Sequence, residues 1–542
     1  MQRSRAFSYA VISALAVIAL AFPVLAQDFR GAIAGTVADA SGGLLPGVTV
    51  TVTNTATNGK TVVVTDGKGY YEARPLGSGT YDVEAGLEGF RTVLRKAVTV
   101  RVGDVVKIDF SLQPGGVSEV ISVTARQPLL DTTTAVTGQV IDSAQIERLP
   151  LGDGTAYMLT RLAPGLADSS DLHFSRPADN GNLGGIVANG AMGGNEFTLD
   201  GAPNRVSPNN TAPGNNNGVV GFSPPSDAIA EFKVQTNSFD AQSGHTAGAT
   251  VNLALKSGTN SIMGSAAYFN RSDSRAATPL LTKRAGADKP SRQYDRMTGM
   301  VSGPIVSDRT FFMIAFEHLK DVQAEPASYT VPTLKMRQGD FSEFSGVTIY
   351  DPLTAKGSTN ARTAFANNQI PTARINPVAK AFLALYPEPN RPGTSSNYFT
   401  NQLRPYDYNG VVARVDQTVN NSNRLFGSGY WNKRREDRYN WALGAPNAQG
   451  SAIDGVDVTS GYDFRSNTGA TLGYTSIFGN AMVLDIRGAW SKFGEWREAG
   501  TTFDPASLGF SPTALSLMKG YNYIPFVTFG GFSTTNSNST IA

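Results

Sequence analysis

The sequence predicts a mainly β, multi-domain, exported protein. Three observations carry that expectation: apolar and polar residues alternate with period two in many short runs, turn-forming residues punctuate the runs, and the one long apolar stretch lies at the N-terminus. At 542 residues, two to four domains are expected.

The first residues read as a secretory leader. Arg3 and Arg5 form a positive start, Ala10 to Leu25 an apolar core, and Ala26 a small residue before Gln27, so residues 1–26 are expected to be removed. Without the leader's two arginines the 46 basic residues fall to 44, against 44 acidic ones, and a neutral chain gives no support for nucleic-acid binding. Cysteine is absent, so disulfides and thiolate metal sites are excluded and stability must come from packing and sheet closure. No other apolar run reaches the length of a helical span, a test that a membrane β-barrel need not pass.

Residues 29–113 hold short alternating runs at Ala32 to Val37, Val48 to Thr53, Lys60 to Thr65, Gly69 to Arg74, Gly79 to Ala85 and Val105 to Leu112. Turn signals stand between them at Asp39 to Gly43, Asn58-Gly59, Asp66-Gly67 and Pro75 to Gly79, a spacing that predicts a small β-sandwich. The stretches "GTVADASGGLLPGVTVTVTN" and "TDGKGYYEARPLGSGTYDVEAGLEGF" resemble the carboxypeptidase regulatory-like domain, a transthyretin-like sandwich that is not the catalytic part of carboxypeptidases. The expected boundaries are 27–114.

Residues 115–130, "GGVSEVISVTARQPLL", then set a β-prone run between glycines and Pro128. On local grounds it reads as an edge strand finishing the sandwich. Farther on, Asp142 can cap a helix whose third residue is Gln145 and which must stop by Pro150, and Ala156 to Ala163 is a second amphipathic stretch. The Asn- and Pro-rich segment Asn204 to Gly218 reads as a loop.

From Ala247 onward alternation recurs in runs near the ~9–11 residues that a membrane strand needs. Met482, Leu484, Ile486 and Trp490 share one face while Asp485 and Arg487 share the other; Val411, Ala413 and Val415 likewise oppose Arg414 and Asp416. Further candidates are Thr250 to Lys256, Met263 to Asn270, Met297 to Ile305, Thr310 to His318, Arg424 to Trp431 and Thr471 to Phe478. A soluble sandwich also alternates, whereas aromatics near strand ends, such as Tyr268, Tyr430, Trp431 and Trp490, favour a barrel in lipid.

"IDSAQIERLPLGDGTAYMLTRLAPGL", "NGAMGGNEFTLDGAPN" and "PPSDAIAEFKVQTNSFDAQSGHTAGATVNLALKSGTNSIMGSAAYF" resemble the plug and first barrel strands of TonB-dependent outer-membrane receptors of the Oar-like type. "GPIVSDRTFFMIAFEHLK" and "IPTARINPVAKAFLALYPEPN" follow in the order that the family keeps. The resemblance implies a sandwich at 27–114, a linker at 115–128, a mixed α/β plug at 129–245 and part of an antiparallel transmembrane β-barrel at 246–542. It also implies a 22-stranded barrel, but the 296 residues from Ala247 have room for eight to ten strands and end in "NSNSTIA" without a terminal aromatic. The expectation is therefore an N-terminal fragment of a longer protein.

Within that resemblance, Glu119, Val120, Ile121, Ser122, Val123, Thr124 and Ala125 occupy the place of the TonB box. This extended segment would be borrowed by the TonB-ExbB-ExbD energy-coupling complex through β-augmentation. Plug-loop candidates for ligand contact are Asn204, Arg205, Asn209, Asn210, Asn215, Asn216 and Asn217, whose amides both donate and accept. Arg414, Asp416, Asp485 and Arg487 would face the lumen, as passage-lining residues or as ion pairs. Implied partners are outer-membrane lipid and an extracellular ligand such as an oligosaccharide, peptide or metal chelate. The implied location is the outer membrane of a Gram-negative bacterium with a periplasmic N-terminal domain.

Catalytic chemistry has no footing in the motifs. His173, His245 and His318 lie far apart and outside any H-E-x-x-H pattern, "NGKT" at Asn58 to Thr61 lacks the glycine of a phosphate loop at Asn54, and no G-x-S-x-G elbow occurs. We expect no catalytic residues, no cofactor and no metal site. The alternative to transport is a surface structural or adhesive protein whose sandwich binds glycan or protein.

Overall fold

The computed structural model describes residues 30–115, 120–124, 137–149, 151, 155–168, 176–177, 186–192, 194–205, 220–237, 248–284, 289–356, 361–438, 461–479, 482–498 and 504–518. The architecture is mainly β, with short helices only, none of them long or apolar enough among these residues to cross a membrane.

The N-terminal strands are β1 (Gly31–Asp39), β2 (Thr49–Asn54), β3 (Lys60–Val64), β4 (Tyr70–Leu76), β5 (Gly79–Gly86), β6 (Thr92–Val100), β7 (Val105–Lys107) and β8 (Phe110–Leu112). Turn chemistry joins them as the side chains require. The Asp39 carboxylate accepts the N–H groups of Ser41 and Gly43, Asp66 accepts those of Lys68 and Tyr70, and Asn58 takes the left-handed conformation (φ 57°) before Gly59. One sheet runs β4-β1-β7 with β8 also on β1; the other runs β3-β2-β5-β6 and ends on β9 (Val120–Thr124). Both sheets turn their alternate apolar residues onto one core that includes Val37, Val50, Val83, Val98, Phe110 and Leu112.

Two local expectations change. The run Val105 to Leu112 is two strands, because Asp109 turns its carboxylate back onto the Thr36 N–H (2.8 Å) and hydroxyl (3.0 Å) and interrupts the ladder. The sequence does not announce β6, whose alternation is broken by Arg95 and Lys96 at its centre.

The middle region packs into an inner domain. Its strands are β10 (Thr137–Asp142), β11 (Leu166–Asp168), β12 (Ile186–Ala188), β13 (Ala191–Met192), β14 (Glu196–Leu199), β15 (Ala202–Pro203), β16 (Ile229–Asn237) and β17 (Thr250–Leu255). The principal sheet has the order β10-β16-β17-β14-β15, antiparallel except for β14 with β17. The predicted helix spans Ser143–Arg148 and carries the full capping box: Asp142 accepts the Gln145 N–H, and the Gln145 side chain accepts the Asp142 N–H. Ala156–Leu162 is a 3-10 segment. Strand β17, expected in the barrel, belongs instead to this inner sheet. All six of its residues are buried between the inner core on one face and a polar layer on the other.

The third region is a seven-stranded antiparallel sheet built from β18 (Met263–Ser272), β19 (Arg292–Val306), β20 (Thr310–Tyr329), β23 (Tyr398–Thr418), β24 (Asn423–Arg438), β25 (Gly461–Phe478) and β26 (Met482–Glu498), in chain order. A separate hairpin, β21 (Tyr350–Lys356) with β22 (Ala361–Ala364), lies in the connection between β20 and β23. Eight to ten strands were expected after Ala247; seven pair in this sheet among the described residues, and β19 to β26 within it run 15 to 21 residues. The extra length is polar, continuing each strand past its apolar part.

Connections at the two ends differ as in outer-membrane barrels. Residues 307–309, 419–422 and 479–481 make short turns at one end, while 273–291, 330–397 and 439–460 make long ones at the other. In the 330–397 connection, Val331, Phe382 and Tyr386 share a small core with Tyr398 and Leu508.

Candidate functional site

Alternation sorts the wall's side chains between two environments. Along β20, Phe311, Met313, Ala315, Glu317, Leu319 and Asp321 are buried toward the inner domain, whereas Ile314, Phe316 and Lys320 are exposed on the outer face. Register puts Phe316 beside Val411 and Val411 beside Trp431, an outward apolar belt; two and four residues farther toward the long connections the same face carries His318, Asn409 and Lys433, then Lys320, Asp407 and Arg435. A lipid-facing band bordered by aromatic and charged residues has this arrangement.

The inward face grips the inner domain. Met313, Ala315 and Val412 join the core of Phe232, Val251 and Leu253. Phe222 stacks on Tyr430 with ring centroids 4.4 Å apart and planes 1° apart. Tyr430 can lie flat because its cross-strand neighbour is Gly469, where a Cβ would stand 2.4 Å from the ring. Polar ties surround this contact. Arg414 pairs with Asp200 of the inner domain (2.8 Å) and with Asp416 of its own strand (2.7 Å), Ser257 donates to Asp416 (2.8 Å), and Asp227 accepts from Ser265 (3.1 Å) and Thr298 (3.0 Å). Near the long connections Arg176 pairs with Glu436 (3.0 Å) and Asp321 (3.5 Å) and covers the Tyr406 ring, while the Tyr406 hydroxyl donates to the Pro177 carbonyl. Arg434 and Arg404 complete this buried network on Glu436.

Of the sequence's candidates, Arg414, Asp416, Asp485 and Arg487 do face inward, and all four are in ion pairs: Arg487 meets Asp485 at 3.1 Å and Arg30 also pairs with Asp485. Asn204 and Arg205 are not exposed ligand contacts in this structure. The Asn204 amide donates to Tyr157 and to the Phe222 carbonyl and accepts the Phe222 N–H, and Arg205 pairs with buried Glu196 (3.0 Å). Both fasten the inner domain together because a buried amide and guanidinium must be satisfied there. Asn209, Asn210, Asn215, Asn216 and Asn217 lie outside the described residues, as do Glu119, Ala125, His173 and His245.

Strand β9 is extended, as its propensity requires, and it is paired. Residues Val120 to Thr124 run parallel to Thr92 to Lys96 of β6, so the edge-strand reading describes its place in this conformation. The coupling reading then requires a partner strand to add to this edge or to exchange with β6.

Contacts that sequence reasoning did not anticipate join the sandwich to the rest. The Arg101–Asp104 turn sits on the polar face of the inner sheet: Glu231 accepts the Val102 N–H (2.6 Å), and Lys233 reaches the Gly103 carbonyl (3.0 Å) and Asp104 (3.1 Å). Val102 is buried against Ala254. Burial beneath the turn pushes the Glu231 carboxyl up to about 7, against the Val102 N–H and Ser78 hydroxyl that favour its ionised form. Among the described residues no group of three or more His, Cys, Asp or Glu is placed to hold a metal ion.

Comparison with known proteins agrees with this layout. A family model described as an outer membrane beta barrel domain matches residues 254–542, and one described as a carboxypeptidase regulatory-like domain matches residues 32–113. The chain is similar to the TonB-dependent transporter Oar of Myxococcus xanthus, at 26% identity over 298 residues that make up 52% of this chain and 26% of that protein. It is also similar to the siderophore receptor PirA of Acinetobacter baumannii (14% identity, 67% of this chain, 40% of that one, TM-score 0.39) and to the outer membrane transporter YddB of Escherichia coli (10% identity, 66% and 40%, TM-score 0.38). The match spans about a quarter of the length of the curated relative.

Proposed function

The chain belongs to the outer membrane beta barrel domain family, and on that premise we propose that it is a TonB-dependent receptor of the Oar-like type that carries a ligand across the outer membrane. It is an outer-membrane protein whose N-terminal domain lies in the periplasm. In this reading the seven long strands are wall, the inner domain is the plug, and the short turns face the periplasm.

The observation that carries the proposal is how the plug is held. Apart from a small apolar contact and one aromatic stack, it meets the wall through ion pairs and hydrogen bonds such as Arg414 with Asp200 and Arg176 with Glu436. A polar seam can exchange its partners for water or ligand, so a plug held this way can shift without exposing a large apolar core. The ligand class stays with the expectation: an oligosaccharide, peptide or metal chelate captured on the side of the long connections.

Energy would enter through Val120 to Thr124 from the TonB-ExbB-ExbD complex, and the protein's own residues supply no catalytic step. The test is uptake of candidate ligands by cells carrying the full-length gene, with and without TonB. Uptake that depends on TonB supports the reading. Ligand retained at the surface with no TonB-dependent entry favours the adhesive alternative.

A further inference from the structure

The N-terminal sandwich touches both moving parts of such a transporter at once. On the plug it covers the face of β16 and β17 that carries Glu231, Lys233 and Ala254, residues left 4 to 7% exposed although two of them are charged. Sheet faces of that polarity are normally solvated. Here the sandwich turn takes the place of water, with the Val102 N–H on Glu231 and the Gly103 carbonyl and Asp104 on Lys233.

On the wall it meets three separate places near the short turns. Asn58 donates to Asp308 (2.9 Å), Arg424 donates to Thr61 (2.7 Å), and Arg30 reaches Thr475 (2.7 Å) and Asp485. The sandwich is thus a bridge, and while it stays in place the plug's periplasmic face is tied to the rim. One strand links this bridge to the proposed coupling segment. β6 pairs with β9 along its first half and runs at its end directly into the Arg101–Asp104 turn that holds the plug.

We propose that the N-terminal sandwich is a releasable cover that staples the plug to the periplasmic rim, and that traction on β9, passed through β6 to the Arg101–Asp104 turn, is what lifts it. The inference rests on the coupling role proposed above for β9. Its physical basis is the bond types involved: β9 holds β6 by a ladder of backbone hydrogen bonds over five residues, whereas the turn holds the plug by three polar contacts and one small apolar contact. Pulled together, the shorter contact set yields first.

The absence of native cysteine makes the test direct. The full-length protein with Ala254→Cys is alkylated in cells by N-ethylmaleimide, with Glu84→Cys, exposed on β5, as the reference. Without the TonB complex, alkylation at position 254 is expected to be at least about tenfold slower than at position 84, as for a site that reacts only through local opening. It should speed up when the energised complex is present, and deletion of Val120 to Thr124 should abolish the increase. Adding Val102→Asp, which unseats the turn, should expose position 254 without the complex.

Equal reactivity of the two sites at rest would overturn the cover, and protection indifferent to the complex would overturn its release by traction. The readout needs no ligand. Uptake indifferent to TonB with TonB-dependent alkylation would remove the transport reading and leave the cover; the converse would remove the releasable cover and leave transport.

Discussion

Asp200 is wholly buried in the plug and takes its partners from two domains, the Leu255 N–H (3.1 Å) from its own sheet and the Arg414 guanidinium (2.8 Å) from the wall. Removing one partner of a buried ion pair strands the other charge, so Arg414→Met is expected to weaken plug seating by ~3–5 kcal/mol, whereas Arg414→Met with Asp200→Leu should recover most of the loss. Urea-dependent protease sensitivity of the plug checks both. Glu231 adds a dependence on pH. Its carboxyl ionises near 4.5 when free and at about 7 when docked, so docking is strongest below pH 4.5, weakens as pH rises and has lost about 3 kcal/mol at most once pH passes 7. Asp104 adds to this trend, while Arg101 from the sandwich opposes it and Lys233 stands beside it on the plug strand. Alkylation of Ala254→Cys measured from pH 5 to 8 should therefore accelerate with pH beyond the reagent's own trend, and Glu231→Gln should remove the excess. Alternation made the inward direction of Arg414 legible, but its partner comes from a distant stretch and no local pattern names it. Asn204 misled for the opposite reason: a loop-like composition surrounds it, and only the Phe222 backbone and Tyr157 show that its amide is structural.

At the scale of elements, β9 was readable as a strand but not as a strand on β6. Parallel pairing across an intervening β7 and β8 is set by which sheet edge is open, and β6 itself hides behind Arg95 and Lys96. Val123→Pro takes one backbone donor out of β9, and proline is tolerated at a sheet edge at modest cost. We therefore expect uptake to fall to the level seen without TonB while the melting temperature of the sandwich moves little. Uptake that survives the change would place the coupling segment elsewhere. The same reasoning explains β17. Its run TVNLAL is buried on both faces, and a strand between two protein layers carries the same apolar alternation as one between lumen and lipid. By contrast the helix Ser143–Arg148 was legible to the residue, because its capping box is made entirely by Asp142 and Gln145, three positions apart.

For the whole molecule, the division between sandwich, plug and wall follows hydrophobic patterning, whereas the height of the wall in the membrane does not follow from strand length, since β23 is 21 residues long. Chemistry along its outer face marks that height instead. Val411 and Val415 are exposed among Phe316, Ile314 and Trp431, while Asp407 and Asn409 on the same face sit among Lys320, Lys433 and Arg435. Four residues of strand rise about 13 Å before tilt, enough to pass from the apolar core to its border. The two positions should therefore respond oppositely to one substitution. Val411→Arg puts a guanidinium in hydrocarbon and is expected to destabilise the inserted protein by ~2–4 kcal/mol, whereas Asp407→Arg lies where the depth-dependent cost falls to ~0–1 kcal/mol. Equilibrium unfolding of the full-length protein in lipid vesicles measures the difference. Equal costs at the two positions would show that the belt of Val411, Phe316 and Trp431 meets another protein surface rather than lipid, because only a bilayer makes the penalty depend on depth.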